Sequence, residues 1–159
     1  MAVGVAAGLL TRPPAGWRTA AWCAALCVVA LAPDADIVGF ALRVPYAAEF
    51  GHRGATHAVL LPLLVGFALA RWSGTALVVA AVYASHGVLD TFTDGGLGAA
   101  LLWPFSPDRF FAPWRPIPVA PIGAALFSPP GLRLMAMESL MFLPLVALAA
   151  AIRRSEPSS

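Results

Sequence analysis

Lysine does not occur in this chain, and charge of either sign is scarce. Ten arginines and eight acidic residues bring charged side chains to only 11% of the 159 residues. A soluble domain of average composition is roughly 25% charged, so an ordinary water-exposed surface is excluded. The net charge of +2, carried by dispersed arginines, excludes a nucleic-acid-binding face. Cysteine is nearly absent. Cys23 and Cys27 stand one helical turn apart in an apolar run, a poor geometry for a disulfide. No histidine lies nearby in sequence to complete a thiolate metal site, so both read as packing residues. Histidine itself occurs three times, as His52, His57 and His86, and two of these fall within six residues of each other.

What is abundant is hydrocarbon: 60% of residues are hydrophobic and the mean hydropathy is +0.80. Together these predict a single integral membrane domain over 1–159, an all-α polytopic bundle. A spanning helix needs about 20 largely apolar residues. Four runs are candidates: Trp17–Ala32, which is short and closed by Pro33; Ala55–Trp72; Gly74–Phe92; and Leu132–Ile152. Arg12 and Arg18 ahead of an "ALA" at 30–32 resemble a cleavable signal peptide, but proline directly after that site disfavours cleavage, and the first run is read as retained. Residues 2–10, "AVGVAAGLL", are too short to span. Gly4 and Gly8 make a small-xxx-small pattern, which predicts a half-span helix tucked against the bundle. Eight of the fifteen prolines fall within 95–131, interleaved with tryptophan and phenylalanine. Proline blocks regular helix and aromatic rings favour the membrane–water boundary, so this segment reads as an ordered interfacial cap.

Threading the four runs up and down through a bilayer gathers the polar residues at one face. "PDADI" (33–37) emerges where the second run begins with His52, Arg53 and His57. The third run returns to the same face with His86, Asp90 and Asp94, and the fourth starts there with Glu138 about two turns inside. His86 and Asp90, at i and i+4, share a helix face. Asp34 and Asp36 follow a helix stop and can both turn inward. Taken singly, each has a plain explanation: a hydrogen-bonded pair for His86–Asp90, a helix cap for Asp34, an interfacial anchor for Arg53. A carboxylate inside a membrane helix, as at Glu138, is functional by default.

Convergence of all of them points to a divalent metal. Imidazole and carboxylate ligands without thiolate suit zinc, manganese or iron. The number of candidates allows one to three ions, including a pair about 3.5–4 Å apart that clamps a phosphoryl group and activates water. Arg53 is then placed to stabilise a phosphate oxygen, with Asp34 or Glu138 as general base.

"LAPDADIV", "HRGATHAV", "SHGVLDTFTDGG" and "WPFSP", in this order over 30–106, resemble the YdjM-like inner-membrane proteins, a family described as metal-dependent hydrolases. The resemblance implies a hydrolase of the bacterial inner membrane. It extends distantly to zinc-dependent phospholipase C and the S1/P1 nucleases, all-helical enzymes that share the H-x-x-x-D of His86 and Asp90. On it, Asp36, His57, His86 and Asp90 are the first ligand candidates, followed by Asp34, His52 and Glu138. The family pattern also has a histidine ahead of the first small-residue helix, where this chain reads "MAVGVAAG".

The expected function is therefore a membrane-bound, metal-dependent hydrolase, zinc being the first choice, acting on a lipid or small-molecule phosphoester. The alternatives are an intramembrane ion or metal transporter, which needs access from both faces, and a non-catalytic scaffold. The type-2 phosphatidic acid phosphatases share H-x-x-x-D but need an arginine where Val79 stands, and are set aside. Arginines divide evenly between the two faces. With Arg53 set aside as a site residue, the positive-inside rule places the site on the outward face.

Overall fold

The computed structural model describes residues 1–155, and its regular elements are all helical. Helix α1 (Ala2–Leu10) packs on α2 (Thr19–Leu31) through its two glycines. A Cβ at Gly4 would stand 2.7 Å from the Leu26 backbone, and one at Gly8 2.6 Å from Cys23 Sγ. The small residues one turn apart let the backbones approach, as their spacing predicted. Cys23 and Cys27 are free thiols, directed at the carbonyls of Val5 and Met1. Trp22, Leu26 and Ala30 of α2 form the buried core with Val82 of α5 (Ala76–Thr91).

The first run does not stop at Pro33. The chain tightens there into a 3-10 turn, Ala32–Ile37, and continues as α3 (Val38–Ala41), giving one apolar helical stretch of 23 residues, Thr19–Ala41. Proline sits in the first positions of the 3-10 segment, where its missing N–H removes little. The other long apolar helix is α6 (Pro129–Ser155), 27 residues with Pro144 inside it.

Among the described residues only these two stretches are long and apolar enough to cross a membrane, which corrects the expectation of four full spans. Helix α4 (Leu60–Leu69) has 10 residues and α5 has 16. At 1.5 Å per residue they measure about 15 and 24 Å, against a hydrocarbon layer of about 30 Å. The second run is shortened because residues 55–59 leave the helix. Ala55–His57 form a separate 3-10 turn, and the amides of Val59 and Leu60 both donate to the Leu101 carbonyl. Helices α4 and α5 pack as a hairpin, Gly66 lying directly against Ala80.

At one end of the bundle Arg153 donates to the Leu9 carbonyl and to Thr19 Oγ1, both at 2.9 Å, tying the end of α6 to the end of α1 and the start of α2. The end of α2 and the start of α6 therefore lie toward the other face, and the end of α5 joins α2 there through His86 and the Ala30 carbonyl. The segment expected to form the cap, 95–131, runs as irregular chain up to a 3-10 turn, Gly123–Phe127, and enters α6 at Pro129. Among the described residues its extended pairing amounts to two isolated bridges, Thr93 with Ile117 and Ala99 with Phe110. Phe105, Trp114 and Phe127 stand exposed on it.

Candidate metal centre

Three pieces of chain meet at that second face: the 3-10 turn 32–37, the irregular stretch 51–57, and the last turns of α5. Two histidines are presented in the same way. His86 Nδ1 lies 2.7 Å from the Ala30 carbonyl, which can only accept, so the Nδ1 proton is donated there. His57 Nδ1 lies 3.0 Å from Thr56 Oγ1, whose own hydroxyl donates to Asp36 Oδ2 at 2.6 Å. With both Nδ1 atoms engaged, both neutral imidazoles leave Nε2 bare. A partner on the second ring nitrogen fixes tautomer and orientation in this way at metal-binding histidines.

The two Nε2 atoms face the same carboxylates. Asp34 Oδ1 is 3.5 Å from His57 Nε2 and 3.3 Å from His86 Nε2; Asp90 Oδ2 is 3.2 Å from the former and 4.0 Å from the latter. A tetrahedral ion with bonds of about 2.1 Å separates its ligands by about 3.4 Å, so these spacings match a coordination shell. His57 Nε2 and Asp90 Oδ2 are also buried without hydrogen-bond geometry to any described residue. Buried polar atoms are almost always satisfied; Arg53 Nε, likewise without hydrogen-bond geometry, meets Asp90 Oδ2 as an ion pair at 3.1 Å, and a cation on the side of His57 Nε2 would satisfy the remaining atom. The site can thus hold a metal ion, in one set formed by His57, His86 and Asp90 and an overlapping set formed by Asp34, His52 and His57.

In the metal-free protein a proton takes that part. Burial pushes the His57 imidazolium down, but the carboxylates of Asp34, Asp36 and Asp90 outweigh it and lift its pKa from 6.5 to about 10. The cluster favours positive charge at this position.

The structure brings seven predicted site residues together and leaves one out. Asp36, expected among the first ligands, is turned behind the histidines. Its Oδ1 meets His52 Nδ1 at 2.7 Å, and its Oδ2 accepts from Thr56 and from the Arg53 amide at 3.1 Å. Arg53, expected to face substrate, is 4% exposed and spent internally. Its Nη1 donates to Thr93 Oγ1 and the Gly95 carbonyl, while Nε lies 3.1 Å from Asp90 Oδ2. Glu138 is on α6, which packs on α1; it makes no hydrogen bond or ion pair with the described residues, though its carboxyl lies near enough to feel the charge of Asp90. Helix periodicity placed it at the right depth but could not say which neighbour α6 would choose. Asp94 accepts from the Val119 amide and secures the cap.

Other residues of the site carried little sequence signal. Thr56 lies inside the quoted "HRGATH" but has no metal-ligand chemistry of its own. Arg109 donates to the carbonyls of Tyr46, Ala48 and His52, holding the 46–52 loop over the site. Gly87 is required by space: a Cβ there would stand 2.2 Å from the His57 carbonyl. Arg53 has φ 64°, a left-handed conformation that costs a non-glycine residue energy and collects at functional sites.

Two long apolar helical stretches, one of them carrying Asp34 and Asp36 into a buried His/Asp cluster, mark a helical membrane protein with a candidate metal centre. The chain belongs to the family described as YdjM inner membrane protein, whose model matches residues 1–156, and it is accordingly a protein of the inner membrane. It is 41% identical over 112 residues to the inner membrane protein YbcI of Escherichia coli (strain K12), a match covering 65% of this chain and 65% of that relative. No solved structure matches.

Proposed function

We propose that the protein is a metal-dependent phosphoester hydrolase of the membrane, with His57, His86 and Asp90 holding the ion and zinc the best fit to two imidazoles and a carboxylate. One observation carries the reading: two histidines with their Nδ1 atoms occupied point bare Nε2 atoms at the same two carboxylates, those of Asp34 and Asp90. A divalent cation there supplies Lewis acidity, polarising a phosphoryl oxygen and acidifying water. The chain's own residues do the rest. Thr56 and Asp36 hold His57 in its binding tautomer. Arg53 lies against Asp90 and ties it to the Thr93–Gly95 segment. Asp34 is the outermost carboxylate, its side chain 42% exposed, and its Oδ1 lies within 3.5 Å of both Nε2 atoms. That position suits a general base that takes a proton from attacking water and returns it to the departing oxygen. His52, hydrogen-bonded to Asp36, stands beside Asp34 and His57 in the overlapping set.

The test is metal content and turnover of detergent-purified protein, wild type beside His86→Ala. The expected result is about one zinc per chain and hydrolysis of a phosphodiester in the wild type, with both lost in the variant. Metal and turnover unaffected by His86→Ala would refute the assignment. Bound metal without hydrolysis of any phosphoester would refute the enzymatic reading alone.

A further inference from the structure

The route into this site has a chemistry of its own. Of the clustered side chains, those of Asp36, His52, Arg53, His57, His86 and Asp90 are at most 15% exposed, and only Asp34 reaches the surface. A 3-10 helix has three residues per turn, so positions i and i+3 stand one above the other. Asp34 therefore lies in a row with Leu31 before it and Ile37 after it, continued by Val28 one turn earlier in α2. All three are exposed, Val28 to 70%, and Val38 beside them to 61%. The one accessible carboxylate of the centre opens through an apolar stripe on a helical stretch long enough to cross the membrane. In a membrane protein such a stripe faces acyl chains. Arg43, exposed beyond the end of α3, marks where that surface turns polar.

We propose that the substrate is a lipid phosphoester that enters sideways from the bilayer, its acyl chains resting against Leu31, Ile37 and Val38 while its head reaches Asp34. This rests on the hydrolase reading above and names its substrate class. In the reaction, a water oxygen bonds to phosphorus and the P–O bond to the lipid or headgroup oxygen breaks. The water proton passes through Asp34 to that departing oxygen, so no further reactant is needed. A water-soluble phosphoester with the same head offers the apolar stripe nothing and loses its binding contribution, which in such cases appears in turnover as well as in affinity.

The experiment uses zinc-loaded, full-length protein in mixed micelles. Long-chain phosphatidylglycerol and phosphatidylethanolamine are compared with their dibutyroyl counterparts held below the concentration at which they aggregate. Long-chain lipid should be hydrolysed at least about 100-fold more efficiently, at a rate set by its mole fraction in the micelle surface rather than by its bulk concentration. Val38→Asn, with zinc content as the folding check, should lower the long-chain efficiency by about tenfold, the value of removing one apolar side chain's contact. Leu31→Asn serves as a second variant should Val38→Asn lose its metal. Equal efficiency on short and long chains, or metal-replete Asn variants that turn over long-chain lipid normally, would overturn lateral entry and leave the hydrolase reading standing. Absence of hydrolysis on all four substrates would overturn the lipid substrate, and absence on a water-soluble generic phosphodiester as well, with zinc bound, would overturn both.

Discussion

Helix α6 and the stretch 51–57 divide the protein's chemistry unequally. The helix is 27 residues long, regular, and buries chiefly small and aliphatic positions such as Gly131, Leu134 and Ala149; its one acidic residue, Glu138, stays outside the cluster. The seven-residue stretch has a single 3-10 turn and a left-handed arginine, yet it buries His52, Arg53 and His57. Irregular backbone at membrane depth survives only where protein covers it or where it lines a cavity. Here the same burial serves both needs. The loop's polar backbone is satisfied by Asp36, Arg109 and Ala100, and its side chains are held where a cation can bind. Long helices set the depth of the site, and the loop supplies its chemistry.

The strongest way to break this contrast is His57→Ala. The side chain is fully buried among three carboxylates, and removing one partner of a buried charged group costs about 3–5 kcal/mol. Metal content should fall below detection, and thermal unfolding of the metal-free protein should shift downward. Retained metal would mean that the loop is only structural.

Next in size is a pH effect. Metal must displace the proton from His57, so apparent affinity should rise about tenfold per pH unit for as long as that proton is present, that is, up to about pH 10. Titrations at pH 6 and 8 should therefore differ by about 100-fold. The sign for stability is the reverse. A pKa raised above 6.5 in the folded state gives the metal-free protein a contribution fully present below about pH 6.5 and lost as pH rises through about 10. An affinity that stops rising near pH 6.5 would show that the three carboxylates do not act on His57.

Gly87→Ala tests the join between helix and loop. Its Cβ would stand 2.2 Å from the His57 carbonyl, so the 3-10 turn must move away from α5. Disturbing the support of a ligand typically costs about 10–100-fold in metal affinity, which isothermal titration with zinc measures. The smallest effect belongs to Glu138→Gln on the regular helix. Zinc content and phosphodiesterase rate should stay within about twofold of wild type, as for a change outside the machinery. A loss of activity there would return α6 to the site and erase the contrast.

The residues explain why some of this was legible in advance. His86 and Asp90 are read from i,i+4 spacing because a helix leaves that geometry no freedom. Gly4 and Gly8 announce a close contact because nothing larger fits. Hydropathy overcounted the spans because 55–59 is apolar enough to extend a helix, and only tertiary demand on Thr56 and His57 turns it aside. Asp34 and Asp36 are two apart in a three-residue turn, so they point in different directions. Which one faces the histidines and which one backs them depends on how the turn is rotated about its axis.

The sequence by itself determined that this chain lives in a membrane, that it is helical, and that its imidazoles and carboxylates collect at one end, because hydrophobic length and helical period are local properties. The tertiary structure alone decided that His57 and His86 present Nε2 to a common point, that Arg53 is turned inward and Asp34 outward, and that Glu138 makes no hydrogen bond or ion pair with the cluster. Those outcomes depend on contacts between segments far apart in the chain, where rotation of a single turn by one residue would exchange a ligand for its support.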